Sequence, residues 1–168
     1  GDHNLLMAYV HLAHDVIVFN NTVLGNACQI AGHVILEDFV ILGGMCAVSQ
    51  FIRVGAHSYI GGASGMDRDV LPYSLGRGVS QDFEIWGLNL VGLKRRGFES
   101  KEIQAIQESQ KIFLDRSNEK ETAIQKIESE FGNNIDYVPC FNTKLMITKL
   151  SEKINNQPEE KKLLERID

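Results

Sequence analysis

Six residues near the start of the chain have the types and spacing that chemistry needs: His11, His14, Asp15, Gly32, His33 and Gln50. Counting 18 onward from His14 reaches Gly32 and then Gln50, and counting 18 from Asp15 reaches His33. A chain coiled with that period would stack His14, Gly32 and Gln50 in one column, with Asp15 and His33 in the next. Neighbouring coils lie about 4.8 Å apart. An imidazole ordinarily titrates near pH 6.5, which suits general-base work at neutral pH. A carboxylate beside it can orient the ring and stabilise its charged form. A glycine in the same column leaves a backbone N–H open to a developing oxyanion. A lone histidine is usually a satisfied surface residue, but three converging beside a glycine read as a site. Adjacent residues on a strand point apart, so His14 and Asp15 can cooperate only at a corner or loop.

The repeat behind this period is visible in the aliphatic residues. Leu6, Leu12, Val18, Leu24, Ile30, Leu36, Leu42, Val48, Val54 and Ile60 follow one another at steps of six. Four residues after each comes a small or β-branched one, from Val10 and Val16 through Cys28 and Cys46 to Ser58 and Ser64. An amphipathic helix would space its apolar residues by three and four, and a lone strand by two. A period of six is the hexapeptide signature of a parallel β-helix, with three hexads per triangular coil and both marked positions facing inward. Gly25, Gly43, Gly55 and Gly61 fall just after the aliphatic residue, where a corner is expected to need permissive backbone. After Ile60 the period is expected to fail at Met66 and Pro72. Gly1 already sits inside a hexad, so further coils are expected upstream of it.

Composition divides the chain. Fourteen of the fifteen glycines precede residue 98, whereas most of the Asp, Glu, Lys and Arg side chains follow it, so the two parts should fold differently. The expected organisation is a hexapeptide β-helix over 1–66, an irregular segment over 67–98 and a helical domain over 99–168. In the last, Ser100 is the expected N-cap of a helix carrying Ile103, Ile106, Phe113 and Leu114 on one face. Further helices are expected over about 120–131 and 139–155. The formal net charge of −5 argues against nucleic acid as a partner. No apolar run is long enough for a membrane span. Three cysteines without a C-x-x-C pair suit a reducing compartment, and the cytoplasm is the expected location. Cys28 and Cys46, stacked 18 apart, read as inert core filling.

The segments HLAHD at 11–15, AGHV at 31–34, GGMCAV at 43–48 and GLKRRGF at 92–98 resemble the UDP-N-acetylglucosamine acyltransferase family, over about residues 1–115. The last heptad is the most specific of them. The resemblance implies a left-handed β-helix and a homotrimer with active sites between neighbouring prisms. The implied reaction moves a 3-hydroxyacyl chain onto the 3-hydroxyl of a UDP-amino sugar, in lipid A synthesis. No cofactor would be bound, because the donor acyl group rides on the phosphopantetheine of acyl carrier protein. His14 would be the general base, Asp15 its orienting carboxylate and the Gly32 amide the oxyanion donor. His11 and His33 would contact the sugar, and Gln50, Asn89, Arg95 and Arg96 would line the nucleotide site. Gly62 would leave the acyl groove open to a long chain.

Two departures from the family pattern, Ser49 in place of a histidine and Val91 in place of a glutamate, fall on the nucleotide-sugar side. Acylation of a 3-amino sugar therefore stays open. Two rival readings share the prism: the N-acyltransferase of the same pathway, and a zinc hydratase of the γ-carbonic-anhydrase kind with His11, His14 and His33 as ligands.

Overall fold

The structure is a computed structural model that describes residues 1–115, 117 and 119–131. Two compact units make up the chain, residues 1–111 and 112–168. In the first, two-residue strands recur at every sixth position from β1 (Leu5–Leu6) and β2 (His11–Leu12) to β10 (Tyr59–Ile60) and β11 (Gly65–Met66). Each strand pairs in parallel with the one a full coil later, as Leu5 with Val23 and His11 with Gln29, which gives three sheets around one axis. The fold is the parallel β-helix expected from the hexads, with the left hand expected from the family resemblance.

Both marked positions of the hexad point inward. Leu24, Ile30, Leu36, Leu42 and Ile60 are buried together with the small residues Thr22, Cys28, Val34, Cys46 and Ser58 that precede the strands. Burying one such Leu or Ile side chain contributes roughly 1.5–3 kcal/mol. Cys28 and Cys46 are free thiols whose Sγ atoms donate to the carbonyls of Gly43 and Gly61 at 3.2 and 3.3 Å. Burial pushes the Cys28 thiol above its ordinary range and the Cys46 thiol up to about 11.

The corners are built differently from the sequence expectation. Gly25, Gly43 and Gly55 do not have positive φ; the left-handed residues are His3, Tyr9, Asp15, Asn21, Ala27, His33, Phe39, Met45, Phe51, His57 and Ala63, one per hexad, at φ of 56–64°. A non-glycine residue in that region costs roughly 1–2 kcal/mol. From Asn21 onward each gains a hydrogen bond in return, because its N–H donates to a corner carbonyl of the previous coil, as Phe39 to Asn20 at 2.9 Å and Ala63 to Gly44 at 2.9 Å. The glycines serve close stacking. A β-carbon on Gly25, Gly43 or Gly55 would stand 2.5 Å from the backbone nitrogen of Gly44, Gly62 or Pro72.

The hexad also runs further than expected. Met66 takes the interior place, 1% exposed, and β11 pairs with Ala47–Val48. Thereafter the coil shortens: Ile60 pairs with Gly76, in strand β12 (Ser74–Arg77), where an unbroken period would have matched it with Gly78. Strand β13 (Glu84–Leu88) turns back antiparallel on β12. Helix α1 (Leu90–Arg95) follows, then α2 (Ser100–Leu114). Ser100 is the first residue of α2 rather than its cap; the Glu99 N–H is met by Glu102 Oε2 at 2.6 Å, the reciprocal half of a capping box. Ile103 and Ile106 are buried as expected, whereas Leu114 is 50% exposed. In the second unit α3 (Lys120–Phe131) buries Ala123 and Ile127. The helix expected over 139–155 lies outside the described residues. No helix among the described residues is long and apolar enough to cross a membrane.

Candidate active site

His14 and Asp15 occupy the two turn positions of one corner, which resolves the objection that adjacent strand residues point apart. The left-handed backbone at Asp15 swings its carboxylate back toward the preceding ring, so that Oδ2 lies 2.9 Å from His14 Nδ1. A carboxylate only accepts, so Nδ1 is the donor of this pair, and in the neutral ring Nε2 then keeps the lone pair. One coil on, His33 Nε2 lies 3.8 Å from the same Asp15 oxygen, and the two imidazoles meet edge to face at 5.0 Å between centroids.

The His14 ring lies against Gly32. A β-carbon there would come within 2.6 Å of His14 Cε1 and Nε2, so only glycine admits the ring in this position. At another corner, side chains one coil on take the equivalent backbone N–H groups: Asn20 Oδ1 accepts from Asp2 at 2.7 Å, and Asp38 Oδ1 from Asn20 at 2.9 Å. Among the described residues no acceptor takes the Gly32 N–H. A hollow of about 480 Å³ opens here, lined by His11, His14, Gln29, Gly32, Ser49 and Gln50 among others. Gln29 is absent from the columns read in the sequence, although it stands one full coil after His11 and pairs with it.

Of the residues expected on the nucleotide side, Gln50 lines the His14 hollow, whereas Asn89 and Arg96 meet a different corner, where Phe39, His57 and Tyr73 stack ring on ring at 4.8 and 5.4 Å. Asn89 is buried and caps α1: its Oδ1 accepts from the Gly92 N–H at 3.0 Å and its Nδ2 donates to the His57 carbonyl at 2.9 Å. Arg96 turns inward, donating from Nη2 to the Phe39 carbonyl at 3.2 Å with its guanidinium 5.1 Å above the Phe39 ring. Burial holds its pKa below the usual arginine value. Among the described residues His57 Nδ1 and Arg96 Nη1 are buried and meet no hydrogen-bond partner, and burial together with the nearby Arg96 charge pushes the His57 pKa down to about 4. Arg95 is exposed. Gly62 occupies a third corner, stacked on Gly44. Three sets of expected site residues thus lie on three corners of one prism.

Among the described residues, His14, Asp15 and His33 offer ligand atoms within 4.8 Å of one another, a spacing compatible with a metal ion. His11, a ligand in the hydratase reading, is not in that group.

The family model for UDP N-acetylglucosamine O-acyltransferase, domain 2, matches residues 69–168. The chain belongs to the UDP-N-acetylglucosamine O-acyltransferase family. It is 48% identical over 130 residues to an acyl-[acyl-carrier-protein]–UDP-N-acetylglucosamine O-acyltransferase from Nautilia profundicola, a match covering 77% of this chain and 49% of that protein. The corresponding protein of Aliivibrio salmonicida is 45% identical over the same length. The chain spans about half the length of the curated relatives it matches. Among solved structures, the Francisella novicida UDP-N-acetylglucosamine acyltransferase superposes with a TM-score of 0.77 at 34% identity, covering 84% of this chain and 51% of that one. The Arabidopsis enzyme gives a TM-score of 0.74 at 30% identity, over 88% and 51%. Family membership disfavours both rival readings, the N-acyltransferase and the hydratase.

Proposed function

We propose that the chain carries the acyl-transfer site of an acyl-[acyl-carrier-protein]–UDP-N-acetylglucosamine O-acyltransferase. The observation that carries this reading is the His14 imidazole, oriented by Asp15 at 2.9 Å and resting on the backbone of Gly32. His14 Nε2 takes the proton of the sugar 3-hydroxyl, and the oxygen attacks the thioester carbonyl of a 3-hydroxyacyl group on acyl carrier protein. Negative charge gathers on the carbonyl oxygen beside the Gly32 N–H. The carbon–sulfur bond then breaks, and the phosphopantetheine thiolate recovers the proton from His14. Asp15 keeps the imidazole in the tautomer this needs and stabilises the imidazolium. A 3-amino acceptor would follow the same course through its nitrogen.

His11 and His33 are assigned to the sugar and Gln50 to the nucleotide side. Asn89 shapes the start of α1, and Arg95 offers its guanidinium to the diphosphate, a pairing suited to its planar fork. The separation of these groups and of Gly62 over three corners supports a homotrimer, in which neighbouring copies would bring different corners to one substrate. A carrier-protein donor fits a cytoplasmic location and lipid A synthesis. No resident cofactor is required by this scheme.

The test incubates purified protein with 3-hydroxyacyl carrier protein and UDP-N-acetylglucosamine and follows both by mass spectrometry. The sugar nucleotide should gain one hydroxyacyl group as the carrier loses it. A carrier that stays loaded in the presence of the sugar nucleotide overturns the reading.

A further inference from the structure

Phe51, which carries no mark in the sequence repeat, bears directly on the site. It follows Asp15 and His33 in their corner column, one coil further on, with a left-handed φ of 64°. Its ring lies flat on the His33 imidazole, centroids 4.8 Å apart and planes 7° from parallel. That imidazole in turn meets His14 edge to face, and its Nε2 stands 3.8 Å from the Asp15 oxygen that holds His14. The Phe51 N–H donates to the Gly32 carbonyl at 3.2 Å. One residue therefore grips both the His33 ring and the peptide that follows the proposed oxyanion donor.

Core formation does not account for Phe51, which is 70% exposed. The comparable stack at the other corner is enclosed: His57 and Tyr73 also meet Phe98 edge to face, and Tyr73 is 3% exposed. A large ring left in solvent, at a backbone conformation that disfavours it, and stacked face to face on one imidazole, has its effect on that imidazole.

We propose that Phe51 is a positioning residue for the acceptor: it fixes the plane of His33, so that Nε2 faces Asp15 and Nδ1 is left for the sugar. This rests on the acyl-transfer reading. A histidine in a left-handed turn can rotate about its side-chain bonds, and an offset aromatic stack restricts that rotation without adding a charge or a hydrogen bond. Loss of the stack should therefore weaken acceptor binding and spare the donor.

The test compares Phe51→Leu, which removes the ring, with Phe51→Tyr, which keeps it. The Leu variant should raise KM for UDP-N-acetylglucosamine by about tenfold, the worth of one hydrogen bond. KM for the acyl carrier protein should stay within about twofold, and Tyr should restore both. In a His33→Ala background, Phe51→Leu should add nothing further. Independently of turnover, the His33 Cε1 proton resonance, held upfield by the Phe51 ring, should move downfield in the Leu variant and not in the Tyr variant. An unchanged KM, a full additional loss in the His33→Ala background, or an unmoved His33 resonance each overturns the proposal. Failure of the wild-type protein to acylate the sugar overturns the acyl-transfer reading and the acceptor role with it, while the resonance comparison still decides whether Phe51 holds His33.

Discussion

The imidazole of His14 rests on the backbone of Gly32, at a place where any β-carbon would stand 2.6 Å from the ring. Gly32→Ala should therefore push His14 out of line with Asp15 while leaving the coils intact. Turnover should fall by about 10²-fold, as expected for a misplacement near 1 Å, with the melting temperature almost unchanged. His14→Ala should lose about 10²–10⁴ in turnover, the worth of a general base. A His14→Ala variant with more than about a tenth of wild-type activity would mean the base has been misassigned.

Neighbouring arginines should behave differently. Arg95 is exposed, and Arg95→Ala should raise KM for the UDP-sugar with little effect on stability. Arg96 is bonded to the Phe39 carbonyl and lies over its ring, so Arg96→Ala should cost about 1–3 kcal/mol of stability. Thermal melts and steady-state kinetics on the two variants separate these outcomes. An Arg96→Ala protein that melts like wild type would reduce its inward contacts to incidental ones.

Two stacked glycines make a second contrast. Gly43→Ala would place a β-carbon 2.5 Å from the Gly62 nitrogen and should destabilise the prism by several kcal/mol, on the order of other large steric clashes. Gly62 is looser, since its β-carbon would meet the Gly44 oxygen at 3.1 Å. Gly62→Met should fold, and it should shift the donor preference from long hydroxyacyl chains, roughly fourteen carbons, toward chains several carbons shorter. Each methylene excluded from an apolar groove removes about 0.8 kcal/mol. Competition between mixed acyl carrier proteins reads the shift, and an unaltered profile removes Gly62 from the groove.

His57 gives stability a pH dependence. Its folded pKa, about 4, lies below the ordinary value of 6.5, so between these limits the unfolded chain binds more protons. Stability from this group is complete above about pH 6.5 and is lost as the pH falls toward 4, by roughly 3 kcal/mol at most. Arg96 reinforces the shift and Asp38 opposes it. Glu37, whose carboxyl is raised by burial despite its ion pair with Arg53, runs the other way. The informative comparison is therefore with His57→Phe, which keeps a ring in the stack and cannot titrate. Its melting temperature should depend less on pH across this window.

Metal removal supplies the last check. Prolonged chelation should leave acyl transfer intact, because the proposed reaction asks only base chemistry of His14. Activity lost with chelator and restored by zinc would instead assign the His14, Asp15 and His33 group to a metal.

The period of six, by itself, determined the β-helix and the columns His14–Gly32–Gln50 and Asp15–His33. An inward aliphatic residue at every sixth position leaves the backbone no other way to bury its apolar side chains. It determined the hollow's main lining for the same reason, since positions one full coil apart must stack. Only the tertiary structure decided what the glycines are for, because their role depends on the backbone of the next coil rather than on their own φ. It also decided that ordinary residues hold the left-handed corners, where an inter-coil hydrogen bond offsets the strain, and that Met66 continues the core. The inward turn of Arg96 and the stacking of Phe51 on His33 were invisible in the sequence. Both depend on where long side chains settle among neighbours from other coils, which no spacing along the chain encodes.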